Sequence, residues 1–281
     1  MIKLGVKDYA KVIEPLEKLT INTLFAKSVV YQRVAGSVYV DCDKEPNVYY
    51  IAHPYGMSLL FGDIKKENFN KNLLSYLINR DKVRSKVEWL QVFPDSWNKQ
   101  LEIILGSYLV KKEPSNKFDV SETDHTGRVL RNTRINFVFD FNKYIEQTKH
   151  FNKPELKIIR TTKEIYRNVN GNVIPKYFWN NEDQFQKSGI GYSLICDGEV
   201  ASTAFSSFII NNQLEIGIET LEKFRGKGFA LCVCSALINY CLENGLVPVW
   251  ACRLENSSSY QLAQRLGFVP SKFIPYYQLS V

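Results

Sequence analysis

Between positions 214 and 230 the chain reads Leu214-Glu215-Ile216-Gly217-Ile218-Glu219-Thr220-Leu221-Glu222-Lys223-Phe224-Arg225-Gly226-Lys227-Gly228-Phe229-Ala230. Leu214, Ile216, Ile218 and Thr220 alternate with Glu215, Gly217, Glu219 and Leu221, the period of a strand. Glu215 and Glu219 thus share one face, and paired carboxylates are candidates for acid–base chemistry. Glu222 lies beyond them in the following loop. A solvated face or a salt bridge is the alternative reading for each carboxylate. Arg225 to Gly228 breaks the strand, and a helix is expected from Gly228 to Asn244, with Gly245 as its C-terminal cap. A glycine loop entering a helix presents unpaired N–H groups and a favourable dipole, which together make an anion site. The loop is not a nucleotide P-loop, because Lys227 is followed by Gly228. Nor is it a dinucleotide fingerprint, because Leu231 stands where a third small residue is required.

The spacing Arg225-x-x-Gly228-x-Ala230 resembles the pyrophosphate signature of the GNAT superfamily of N-acetyltransferases, Gln/Arg-x-x-Gly-x-Gly/Ala. Thirty-one residues after Arg225, Asn256, Ser259 and Leu262, followed by Leu266-Gly267-Phe268, match a second signature of that superfamily. The resemblance covers about 156–281, and the whole chain is similar to a bacterial two-domain branch of predicted acetyltransferases. It implies acetyl-CoA in a V-shaped gap between two parallel strands, here Leu214–Thr220 and Val247–Cys252. The backbone of Ile218, Glu219 and Thr220 would pair with the pantetheine arm. The N–H groups of Gly226, Lys227, Gly228, Phe229, Ala230 and Leu231 would hold the pyrophosphate, Arg225 and Lys227 would reach phosphate, and Asn256 would bond the arm near its amide.

The implied reaction is direct attack of a primary amine, on a small molecule or a protein N-terminus, on the thioester. Glu215 or Glu219 would take the proton, and N–H groups at a strand bulge would stabilise the oxyanion. Many members carry a tyrosine seven residues after the Asn to protonate the leaving thiolate. Here that position is Ala263, and Tyr260, three residues before it on nearly the same helix face, is the candidate substitute. Two other readings stand beside this one: transfer of a different acyl group, and a CoA-binding sensor without catalysis.

Composition sets the frame. The 281 residues, 45% of them apolar, suit one large or two ordinary domains with a full core. A net charge of +7 spread along the chain excludes a dedicated nucleic-acid arm and favours an acidic small ligand. The Arg128-to-Arg134 segment reads as a solvated strand edge. Six cysteines without a Cys-x-x-Cys pair and three scattered histidines give no metal spacing; buried free thiols are expected. No apolar run approaches a membrane span, so a cytoplasmic protein is expected, with a homodimer compatible.

The elements that must position these residues fall into two halves, an N-terminal α/β domain at 1–150 and a GNAT-like domain at 151–281. The overall class is α/β (α+β), with a mixed, mostly antiparallel sheet flanked by helices in the second half. The first half reads as a helix over residues 1–30, a hairpin of Ser37–Cys42 and Asn47–Ala52, strands at Met57–Phe61 and Val87–Phe93, helices over 66–80 and from Ser96 to Gly106, and a strand at 134–139. Its order of elements is compatible with a degenerate GNAT-like copy, yet it lacks the Arg-x-x-Gly-x-Gly/Ala loop and is expected to bind no CoA. His53 reads as a packed turn histidine, and Trp89 and Trp97 as core. After a polar break at about 140–155, a hairpin turning at Asp197-Gly198 and a turn at Asn211-Asn212 lead into the Glu215–Glu219 strand. Short last strands follow at 266–269 and 276–279.

Overall fold

The computed structural model describes residues 1–111, 127–149 and 156–281. His125, His150 and the end of the expected polar break lie outside them. Two compact units result: Met1–Arg134 with Arg253–Glu255 and Phe273–Val281, and Ile135–Cys252 with Asn256–Lys272.

The first unit contains β1 (Ile2–Lys3), α1 (Ala10–Glu17), α2 (Leu24–Val30), β2 (Ser37–Val40), β3 (Val48–Ala52), β4 (Met57–Gly62), α3 (Glu67–Leu77), β5 (Glu88–Phe93), α4 (Ser96–Leu105), β6 (Leu109–Lys111) and the start of β7 (Val129–Phe139). The single helix expected over 1–30 is two, because Asn22 Oδ1 accepts the Leu24 N–H at 3.1 Å and starts α2 afresh. Strands β2, β3 and β4 run antiparallel, and β4 lies parallel to β5. On one sheet face Tyr50, Leu60, Leu90 and Val92 bury against Leu73 and Leu77 of α3 and Trp97 and Leu101 of α4. Removing this apolar surface from water is the main stabilising term. From Val129 on, the Arg128–Arg134 stretch is not a solvated edge. It belongs to β7, an interior strand; Leu130, Asn132 and Arg134 are buried, and Arg131 bonds Glu102 of α4 at 2.8 Å. His53 is buried in its turn, its Nδ1 accepting the Tyr55 N–H at 3.0 Å. Burial, with help from the Lys86 charge, holds its pKa down to about 3, so it is neutral at pH 7.

The second unit contains the end of β7, α5 (Phe141–Thr148), β8 (Lys157–Arg160), α6 (Lys163–Asn168), α7 (Glu182–Ser188), β9 (Gly191–Cys196), β10 (Glu199–Ile210), β11 (Gln213–Thr220), α8 (Phe229–Glu243), β12 (Val247–Val249), the first two residues of β13 (Ala251–Arg253), α9 (Ser257–Arg265) and the start of β14 (Phe268–Leu279). Where a polar connection was expected, α5 stands, capped by Asp140, whose side chain accepts the Lys143 N–H at 3.1 Å. The five-stranded sheet runs β12-β11-β10-β9-β8, antiparallel except where β11 meets β12. Asp197 and Gly198 take φ of 52° and 77°, the primed turn that matches strand twist. Leu214 and Ile216 pack with Leu231, Cys234, Leu237 and Ile238 of α8 in one core. Cys232, Cys234, Cys241 and Cys252 are buried free thiols. Burial pushes the Cys241 thiol up to about 12, which leaves it packing rather than reacting.

Strand β14 is one strand of 12 residues where two short ones were expected. Its later residues pair antiparallel with β5, Tyr276 opposite Gln91 and Leu279 opposite Glu88. That pairing is why the last nine residues group with the first unit and why the units do not divide at 150.

Candidate active site

Two edges of β11 behave differently. On one side it pairs with β10 along its whole length, from Ile210↔Gln213 to Ser202↔Thr220. On the other, its parallel pairing with β12 covers three positions, Gln213↔Val247, Leu214↔Pro248 and Glu215↔Val249, and then stops. At Trp250 the chain turns to β7 instead, and the Phe137 N–H donates to the Trp250 carbonyl at 3.1 Å. The strands therefore part beyond Glu215. The edge of Ile216 to Thr220 on that side has no strand partner among the described residues, and a free strand edge is a ready template for another extended chain.

The parted edge leads into the glycine loop. Gly228 caps α8 at φ 80°, ψ 6°, a left-handed conformation that favours glycine, and Gly226 stands at φ 77° with nothing within 4 Å of where a Cβ would sit. The Cys232 N–H is the first to reach back to Gly228 O, at 3.3 Å, so the N–H groups of Gly228, Phe229, Ala230 and Leu231 have no intrahelical acceptor. The Phe229 and Leu231 side chains are buried, so these residues can offer a ligand only backbone. Arg225 folds back on the strand end: its Nε donates to Thr220 O at 3.1 Å. The Lys227 ammonium lies 5.2 Å from the centre of the Phe224 ring.

The two carboxylates of β11 part company. Glu219 Oε2 accepts the N–H groups of Asn172 at 2.7 Å and Val173 at 3.0 Å, and Oε1 lies 3.7 Å from the Arg225 guanidinium. A Cβ at Gly171 would collide with the Glu219 side chain. Glu219 is thus a strut for the 171–173 turn, its Oε2 spent on two backbone donors. Glu215 is 5% exposed and sits where pairing with β12 ends. Replacing Glu219 by Ala should raise amide exchange at Asn172 and Val173 and lower the unfolding midpoint, since charge-assisted bonds of this kind contribute about 1.5–3 kcal/mol. Unchanged exchange at both amides would remove the strut.

The expected bulge lies in the neighbouring strand. Register shifts between Ser206↔Ile216 and Phe208↔Glu215, making Ser207 of β10 the extra residue. A Cβ on Gly217 would stand 2.5 Å from Ser207 Oγ, so this position requires glycine for close approach. Asn256 caps α9, its Oδ1 accepting the Ser259 N–H at 3.1 Å, and Ser259 Oγ takes the Trp250 indole N–H at 3.2 Å. The Asn-x-x-Ser spacing therefore does a local structural job at the mouth of β13.

The sequence profile of the GNAT acetyltransferase family matches residues 15–277. The chain belongs to that family. An uncharacterized N-acetyltransferase, YdfB of Bacillus subtilis strain 168, is 28% identical over 246 residues, 87% of this chain and 85% of its own. Among solved structures, a GCN5-related N-acetyltransferase-like protein from Streptococcus suis 89/1591 superposes with a TM-score of 0.68 at 19% identity, covering 98% of this chain and 99% of that one. A tandem GNAT protein from the clavulanic acid biosynthesis pathway gives 0.57 at 9%, covering 99% and 97%. At such identities these two establish the fold: a two-domain GNAT-like arrangement of mixed α/β architecture.

The position seven residues after Asn256 carries no proton donor. Ala263 is fully buried in the core that holds α8, and Tyr260 packs half-buried against it, its ring 5.7 Å from that of Phe137. Sequence reasoning missed the Gly171–Val173 turn that takes Glu219. Its signal was present as Asn170-Gly171-Asn172, a turn triplet. No three His, Cys, Asp or Glu side chains are grouped to hold a metal among the described residues, and no helix there is long and apolar enough to cross a membrane.

Proposed function

We propose that this GNAT protein transfers an acetyl group from acetyl-CoA to a primary amine. The observation that carries the reading is the free edge of β11 beyond Glu215 running straight into the unpaired N–H groups of the Gly226–Leu231 loop. An extended amide-bearing arm matches such an edge, and a pyrophosphate matches such a helix start. Ile218, Glu219 and Thr220 offer the arm backbone, and Gly226, Lys227, Gly228, Phe229, Ala230 and Leu231 offer the phosphates N–H groups. Arg225 and Lys227 add positive charge at the loop without being its main donors. Asn256 caps α9 through its Oδ1 and would bond the arm near its amide.

The thioester supplies an activated acyl carbon. The amine forms a C–N bond to it, the C–S bond breaks, the amine proton passes to a base and the thiolate takes a proton from an acid. Glu215 is the base in this reading, because Glu219 is committed to the 171–173 turn. Tyr260 is the acid, standing one helical turn after Asn256 and three residues before Ala263. In this reading the enzyme is cytoplasmic and uses no metal, and loops that fold alone does not specify form the acceptor side of its pocket.

The test is titration of CoA and acetyl-CoA into the full chain, followed by mass spectrometry of a metabolite extract incubated with acetyl-CoA. Micromolar binding with a new acetylated amine is expected. Binding without any acetylated product would favour the CoA sensor, and no binding of either compound would overturn the reading altogether.

A further inference from the structure

A polar and aromatic group on the first unit is used by nothing described above. On one face of β5, Trp89 and Gln91 stand two residues apart and so point the same way. Tyr276 of β14 lies directly across from Gln91, and Gln278 across from Trp89. Trp89 and Tyr276 stack with ring centres 5.1 Å apart. The Arg253 guanidinium lies 4.5 Å from the centre of the Trp89 ring, and that of Arg134 lies 5.2 Å from the Tyr276 ring.

Two features of this group point to a ligand. Gln91 is 0% exposed, yet neither its Oε1 nor its Nε2 has a hydrogen-bond partner. A buried amide with both ends unmatched costs stability that a core-facing Leu would not, so it calls for an explanation. Arg253 is half-buried, and no hydrogen bond or ion pair engages it among the described residues. Glu255, two residues on, directs its Oε1 to the Thr133 N–H at 3.2 Å. Arg84 in the same unit shows what a structural arginine looks like. It too lies over a tyrosine, Tyr76, but its N–H groups are taken by the carbonyls of Tyr76, Leu77 and Ser280. A guanidinium over a ring face with no other partner keeps its N–H donors for an oxyanion.

We propose that Arg253, Trp89 and Gln91 form a binding site for a small molecule that carries an oxyanion beside a hydrogen-bond donor, the chemistry of a free amino acid. Arg253 takes the oxyanion, the Trp89 ring packs under its guanidinium, and the Gln91 amide meets the ligand with one donor and one acceptor. The site belongs to the first unit, needs no CoA and stands independently of the donor site on β11.

The probes are the twenty free L-amino acids and inorganic phosphate, each added to the full chain at matched ionic strength without CoA. Thermal unfolding and tryptophan emission are the readouts. At least one amino acid is expected to raise the midpoint saturably in the millimolar range or below and to change the emission that Trp89→Phe removes. Arg253→Gln and Gln91→Leu should each weaken that binding at least about tenfold, the effect of losing one buried polar contact. Arg253→Lys, which keeps the charge and loses the guanidinium, should fall between. A response to phosphate that needs Arg253 and Gln91, with none to amino acids, would keep the oxyanion site and assign it to a phosphorylated ligand. No response to any probe, or responses that both variants retain in full, would overturn the site and leave Gln91 as an unpaired core amide.

Discussion

A Gly228→Glu protein is expected to fold and to bind CoA at least about a hundredfold more weakly than the wild type, a loss of about 2.7 kcal/mol. Two effects combine at this one position. Gly228 caps α8 at φ 80°, where any other residue pays strain of about 1–2 kcal/mol. The glutamate also places a negative charge at the helix start where the pyrophosphate is read to sit. Two unit charges about 4 Å apart repel by about 4 kcal/mol at an effective dielectric of about 20, so the electrostatic part alone is large enough. Gly228→Ala separates the effects, since it carries the same backbone strain without the charge, and it should lose much less affinity. Calorimetry at a temperature well below each variant's unfolding midpoint makes the comparison. Wild-type affinity in a folded Gly228→Glu protein would mean that the phosphates lie elsewhere.

How far the sequence carried the site depends on how local each interaction is. The Asp197-Gly198 turn, the Gly228 cap and the Asn256–Ser259 cap are settled by residues within three positions of one another, and all are legible as signals. The parting of β11 and β12 was anticipated only through the family resemblance. Nothing in Val247–Arg253 itself marks Trp250 as the point where the strand changes partner. Glu215 and Glu219 are indistinguishable by period, because both occupy the same strand face. What separates them is a turn 46 or 47 residues earlier in the chain, whose N–H groups saturate Glu219. Trp89 reads as plain core in the sequence, yet it is half-buried beneath an arginine more than a hundred residues distant in the chain. The course of β14 was illegible for the same reason: residues 266–279 show two apolar patches, and only the partner strand β5 makes them one element.

Glu215→Gln is expected to lower turnover by about 10²–10⁴-fold near neutral pH, the usual contribution of a general base, while leaving CoA affinity within a few-fold of wild type. The argument is positional. An attacking amine must reach the acyl carbon beside the strand edge that holds the arm, and Glu215 and Glu219 are that strand's only carboxylates. Glu219 is bonded to Asn172, Val173 and Arg225, so Glu219→Gln should disturb the 171–173 turn and cost less turnover than Glu215→Gln. Gln is nearly isosteric with Glu, so the comparison removes a proton acceptor and little packing. The pH profile supplies the second criterion. Raising the pH toward 9 deprotonates more of the acceptor amine in solution, so the deficit of a base variant should shrink there, whereas a variant damaged in folding or binding should keep its deficit at every pH. Wild-type turnover by Glu215→Gln across pH 6–9 would show that the amine loses its proton through water or another group, and that Glu215 is only a buried carboxylate at the end of the β11–β12 pairing.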